Sequence, residues 1–124
     1  MANKQANAKQ KKWMTDISEW AERNLWSLYE KKYVDCQFQL HHVLGRSAKH
    51  NKVAIGHWFI LPVPIELHDV SSNNELNVTH HKHAFTDRYG KQAELFEKMV
   101  AIMYEEGYAL PPVDVQFAIG DTGA

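Results

Sequence analysis

The chain predicts a single small domain mixing helices with a pair of strands, and three changes of rhythm carry that prediction. Apolar residues recur at helical intervals from Ile17 to Leu28, alternate every second residue over Cys36, Phe38 and Leu40, and return to helical spacing from Leu95 to Met103. With 124 residues, 44% of them apolar and including four Trp, five Tyr and five Phe, there is material for one compact core and not for a second independent one.

Residues 1–12 carry four lysines, no acid and little apolar surface, and are expected to form a disordered basic arm, leaving residues 13–124 as the folded domain. Asp16 is a good N-cap, Glu19 stands at capping-box spacing from it, and a helix is predicted from about Asp16 to Lys31. The alternation from Cys36 onward predicts a strand ending at His41 and His42, whose side chains then point to opposite faces. "GRSAKHNKVAIGH" reads as a long basic loop, and "WFIL" as a second strand that Pro62 ends. Pro64 suits the first turn of a short helix carrying Ile65, Glu66, Leu67 and His68. After the polar interruption "DVSSNNELN", one helix is predicted from Thr79 to Gly90 and another up to Gly107. The last segment reads as a Pro-Pro break with room for an edge strand, and no internal repeat is present.

Charge is unevenly distributed despite a formal net of -1. Between Cys36 and Ile65 there is no Asp or Glu, while Arg46, Lys49, Lys52 and four histidines fall in that window; from Glu97 onward five acids face Lys98 alone. A positive field around the double histidine suits a nucleic-acid partner. The single cysteine, Cys36, excludes an internal disulfide and a cysteine-built zinc knuckle, so any metal falls to His, Asp or Glu, and a reduced cytoplasmic setting is expected. The longest apolar stretch, "WFILPVPI", is too short to span a bilayer, so no membrane association is expected.

The order of a strand ending in His-His, a basic loop, a second strand and a Pro-initiated helix with a histidine resembles the ββα-metal core of HNH endonucleases. "HHVLGR", "WFILPVPIELHD" and "HKHAFTDRYGKQAELF" resemble more narrowly the Ref-type, RecA-dependent phage nucleases and related phage HNH proteins. The resemblance covers roughly Gln37 to Phe96. It implies an α+β fold whose ββα core spans about residues 36–85, preceded by an N-terminal helix and followed by C-terminal helices. It also implies DNA cleavage in phage recombination within a bacterial host, with a RecA filament as a partner. By position it makes His41 a metal ligand, His42 the general base and His68 a helix-borne ligand. A further ligand is expected from "THHKH", with His80 favoured and His81 and His83 as rivals.

Those residue types match the chemistry. A neutral imidazole at His42 can take a proton from water near neutral pH. Three imidazoles, His41, His68 and His80, favour zinc, manganese or nickel over magnesium, although magnesium is abundant in cells and the identity of the one divalent ion stays open. Arg46 can grip the reacting phosphate in a bidentate fork, with Lys49 and Lys52 as point charges along the DNA backbone. The competing readings are a non-catalytic DNA-binding or recombination accessory protein with a structural histidine-bound metal, and a metal-binding regulator without nucleic acid. Against all of these stands the plain reading of His41 and His42 as polar strand-end residues. His50 and His57 read as loop surface, Trp13, Trp20, Trp26 and Trp58 as packing, Asp69 as a helix-end cap, and Cys36 as an inert buried strand residue.

Overall fold

The computed structural model describes residues 5–34, 36–69 and 74–124, and in them five helices and two small antiparallel sheets make an α+β fold. Helix α1 runs Ala8–Asn24, so residues 8–12 of the expected arm form its first turns; residues 1–4 lie outside the described residues. The early start has a local cause. Asn7 caps the helix in a reciprocal capping box with Gln10, and Gln10, Trp13, Ile17 and Trp20 continue one buried stripe. Asp16, expected as the cap, lies mid-helix and pairs with Lys12 one turn earlier. The helix also ends sooner than expected. Asn24 turns its side chain onto the Trp20 carbonyl and Ser27 donates to that of Asn24, which favours the single 3-10 turns Leu25–Ser27 and Lys31–Tyr33 over continued helix.

Strand β1, Phe38–His42, pairs antiparallel with β4, Ile60–Pro64, in the register His41 opposite Leu61 and His42 opposite Ile60. The strand expected to stop at Pro62 runs through it. Pro62 faces Leu40 and Pro64 faces Phe38, whereas the ladder bonds at either end join Val43 to Phe59 and Ile65 to Gln37, in the opposite parity. The prolines therefore sit where a backbone N–H would point away from β1, and no ladder bond is lost. The outward Pro62 carbonyl accepts instead from the Tyr29 hydroxyl, at 2.6 Å.

The expected loop between the strands contains a tight hairpin, β2 (Lys49–His50) and β3 (Val53–Ala54), turned by Asn51 and Lys52 at φ of 50° and 68°. Helix α2, Ile65–His68, leaves β4 directly. Residues 70–73 of the expected polar interruption lie outside the described residues; beyond them come α3 (Lys82–Tyr89), α4 (Gln92–Glu105) and α5 (Val113–Asp121). Helix α5 replaces the expected edge strand. Its Val115, Ala118 and Ile119 are buried at helical spacing against α4 and the β2–β3 hairpin, leaving Val113 and Phe117 exposed.

The core lies between α1, β4 and α4. Trp13 and Trp20 are buried, as is Trp58, and their indole N–H groups are satisfied, Trp13 by the Trp58 carbonyl at 3.0 Å and Trp20 by Glu106 at 3.1 Å. Fully burying one such side chain contributes about 3 kcal/mol, so these anchors hold β4, and with it the histidine-bearing β1, firmly in place. Trp26 differs, with 40% of its surface exposed. Among the described residues no helix is long and apolar enough to cross a membrane.

Candidate functional site

Alternation along β1 sends His41 and His42 to opposite sides, and each ring meets another histidine. His41 Nδ1 lies 3.1 Å from Nε2 of His68 at the end of α2, the rings meeting edge-on with centroids 4.9 Å apart. His42 Nε2 lies 3.2 Å from Nδ1 of His57, which is buried in the turn before β4. The structure thus brings together His41 with His68, and His42 with a residue expected on the loop surface.

Glutamine side chains flank the first pair. Gln39 shares the His41 face of β1 because it is two residues away, and its Oε1, which can only accept, makes a short hydrogen bond with His68 Nδ1. His68 therefore carries its proton on Nδ1 and leaves Nε2 bare toward His41. On the far side lies Gln92, at the start of α4 and almost fully buried. Its carboxamide acts on His41 in the manner of a hydrogen-bond acceptor, yet its Oε1 has no partner of normal hydrogen-bond geometry.

Electrostatics keep the cluster neutral. Burial pushes His41 down to about 4, with His68 adding to the effect and Gln92 opposing it. Burial also lowers His42, aided by His57 and Arg46, and lowers His68 against the pull of Asp69. Three imidazoles with available lone pairs at neutral pH follow from these shifts, a condition both for ligating a cation and for accepting a proton.

Arg46 lies between β1 and β2, exposed but close enough to His42 to influence its charge. Gly56 makes this approach possible: a Cβ there would stand 2.1 Å from the Arg46 carbonyl oxygen. Arg46 and Lys49 line a cavity of about 270 Å³ with Gln10, Gly56 and His57, next to the His42 ring. Lys52 occupies the hairpin tip, outside that lining, and His50 ties the hairpin to Asp121 of α5 at 3.4 Å.

The downstream histidines are arranged differently. Asn77, fully buried, donates to the Asp69 carbonyl and accepts from the backbone N–H groups of Thr79 and His80, fixing the chain ahead of α3. His80, His81 and His83 are all exposed, and among the described residues no three His, Cys, Asp or Glu side chains converge as a cation site. Asp69 follows α2 as its C-cap. Cys36 is half-buried just before β1, and burial pushes its thiol up, which suits an unreactive role. Gln39, Gln92 and His57 are the residues that sequence reasoning did not single out.

The spacing of the His41 and His68 nitrogens is compatible with two imidazoles sharing a borderline divalent ion. Two imidazole nitrogens on one tetrahedral ion, each about 2.0–2.1 Å from it, stand roughly 3.3 Å apart, close to the 3.1 Å between His41 Nδ1 and His68 Nε2. The Gln39 bond to the far nitrogen of His68 is the kind of outer support that ligating histidines use. Comparison with models of known protein families, with curated proteins and with solved structures finds no match.

Proposed function

We propose that the protein is a metal-dependent DNA endonuclease built on a ββα-metal core of the HNH kind. The observation that carries this reading is the meeting of His41, at the end of the first strand of an antiparallel pair, with His68, on the helix that leaves the second strand. His41 and His68 hold one divalent cation, zinc, manganese, nickel or magnesium, and His80 is the proposed third ligand. When bound, the cation supplies Lewis-acid neutralisation of the phosphate and of the leaving oxygen.

The chain's own groups do the rest. His42 Nε2 meets His57 Nδ1; in this proposal His42 is the donor of that contact, which keeps its Nδ1 lone pair for the proton of the attacking water. His57, held in the packed turn before β4, limits the ring's rotation. Arg46 directs a planar donor at the phosphate, and Lys49 and Lys52 extend the positive surface along the DNA backbone without reading sequence. The Arg46 and Lys49 cavity beside His57 is wide enough for a phosphate group. Action in phage DNA recombination, inside a bacterial cell and together with a RecA filament, belongs to the same proposal and rests on the sequence resemblance.

The test is cleavage of supercoiled plasmid and single-stranded DNA across zinc, manganese, nickel and magnesium, with and without RecA. Metal-dependent nicking that disappears in His42→Ala is the expected result. DNA and metal binding without cleavage under every condition would replace the nuclease with an accessory DNA-binding protein.

A further inference from the structure

Gln92 poses a question that the histidine pair answers. Its side-chain oxygen is buried beside His41 without a good hydrogen bond, and leaving a buried acceptor unsatisfied is costly. Proton bookkeeping around the pair explains the vacancy. The Gln39 acceptor holds the His68 proton on Nδ1, so the 3.1 Å contact between the rings can be a hydrogen bond only if His41 donates from its own Nδ1. Neutral His41 then carries no proton on Nε2, and a Gln92 oxygen turned to that nitrogen finds no donor there, in keeping with its missing partner.

We propose that Gln39 and Gln92 are positioning residues for a divalent cation: Gln39 fixes His68 with its Nε2 lone pair inward, and Gln92 Oε1 accepts a hydrogen bond from His41 Nε2–H when a cation takes Nδ1. The inference rests on the reading of His41 and His68 as ligands. The proton balance is simple. In the metal-free protein His41 is the Nδ1–H tautomer, bonded to His68; with the cation in place it is the Nε2–H tautomer, bonded to Gln92 Oε1. One proton moves between two nitrogens of the same ring, exchanging through solvent, and none is released. The contact between the rings is given up as the Gln92 oxygen gains its donor. Both inward lone pairs then meet at one point, while the two outward N–H groups are held by carboxamide oxygens. This outer arrangement selects for a cation that accepts neutral nitrogen ligands.

Histidine side-chain ¹H–¹⁵N correlation spectra report the tautomers directly. Metal-free protein at pH 7.5 should show His68 and His41 as Nδ1–H tautomers, and addition of zinc should turn His41 alone to Nε2–H. Zinc titration by calorimetry in buffers of differing ionisation enthalpy should show no net proton release at that pH. Gln39→Leu and Gln92→Leu should each weaken zinc affinity roughly tenfold to a hundredfold, while Gln39→Glu and Gln92→Glu, which keep an acceptor, restore it. Thermal unfolding in chelator should leave Gln92→Leu at least as stable as the wild type, since no satisfied bond is removed.

Leu variants that bind zinc as the wild type does, or a His41 tautomer unchanged by zinc, would overturn the inference and leave the ligand pair standing. A wild-type protein that binds none of zinc, manganese or nickel would instead remove the ligand pair, and the role of the glutamines with it.

Discussion

His41 and His42 stand side by side on β1, as His80 and His81 stand side by side ahead of α3, yet the first two are drawn into the structure and the second two face solvent. In sequence the downstream run is the denser, with His83 two residues further on. The difference comes from the backbone. Strand pairing splits His41 and His42 between two sides, and on each a packed element supplies another ring, α2 on one and the turn before β4 on the other. Ahead of α3 the chain is held by Asn77 through backbone bonds. Histidine density is therefore a poor guide to burial; strand parity and packed neighbours decide which histidine rings are drawn together.

The largest effects should come from the three half-buried histidines, His41, His42 and His68. His42→Ala is expected to lower cleavage by roughly 10²–10⁴-fold, the usual range for a general base, with zinc affinity close to wild type because His42 does not touch the ion. His41→Ala and His68→Ala should lose zinc and activity together. Calorimetric titration of the three variants beside single-turnover cleavage separates the roles. Metal loss in His42→Ala equal to that in His41→Ala would make His42 a ligand, and wild-type metal binding in both His41→Ala and His68→Ala would move the site elsewhere.

Burial also sets a pH dependence at the His41 end of β1. In chelated protein the folded-state value of His41, about 4, lies below the usual 6.5, so below pH 6.5 the unfolded chain binds the proton first. Stability is then complete above pH 6.5 and falls as the pH drops toward 4, by on the order of 2–3 kcal/mol from this group alone. Lowered values at His42 and His68 act in the same direction. Urea unfolding between pH 7.5 and 4.5 checks it, with His41→Gln expected to flatten the curve. A wild-type curve as flat as that of His41→Gln would mean that His41 is not held neutral by the fold.

The same contrast explains what the sequence allowed one to read. The placement of His41, His42 and His68 was legible because period-two alternation and the proline opening α2 are local signals. Gln39 had one too, since it shares the parity of His41, but a polar residue on a half-polar strand attracts no notice. Gln92 stands three and four residues before Leu95 and Phe96, on the apolar stripe of α4, so a polar residue at a core position was its signal. Gln10 gave the same signal on α1, three residues before Trp13, and it was masked by the lysines around it. His57 could be recognised only through the turn that buries it. At α5, Val113, Val115 and Phe117 alternate like a strand, but the core takes Val115, Ala118 and Ile119, and burial overrides alternation. The short β2–β3 hairpin depends on left-handed backbone at Asn51 and Lys52, and a lysine does not advertise that conformation.

Arg46 tests the comparison from its exposed side, being a charged residue placed by backbone rather than by burial. Arg46→Ala is expected to lower the single-turnover rate at saturating enzyme about tenfold or more, by loss of a donor to the developing phosphate charge, with DNA still bound. Lys49→Ala and Lys52→Ala should weaken DNA binding and reduce its salt dependence, with the rate on bound DNA kept. An Arg46→Ala variant with an unchanged rate and weaker binding would join the two lysines as a backbone contact.

The smallest effects belong to the downstream run, and they decide whether the two groups of histidines are separate in function as they are in burial. Surface substitutions away from packed features change stability within about 0.5 kcal/mol, so His81→Ala and His83→Ala should unfold as the wild type does in chelator. In the zinc titration His81→Ala and His83→Ala should be silent, while His80→Ala should weaken binding about tenfold, in the range seen when one supporting group of a metal site is lost. Such a loss would mean that the ion itself gathers His80, since no third ligand converges on His41 and His68 among the described residues of the metal-free chain. Zinc affinity unchanged in His80→Ala would confine the site to β1 and α2, with water or phosphate oxygen in its remaining positions. A loss confined to His83→Ala would move the third ligand into the first turn of α3, where a helix face rather than a turn would present it.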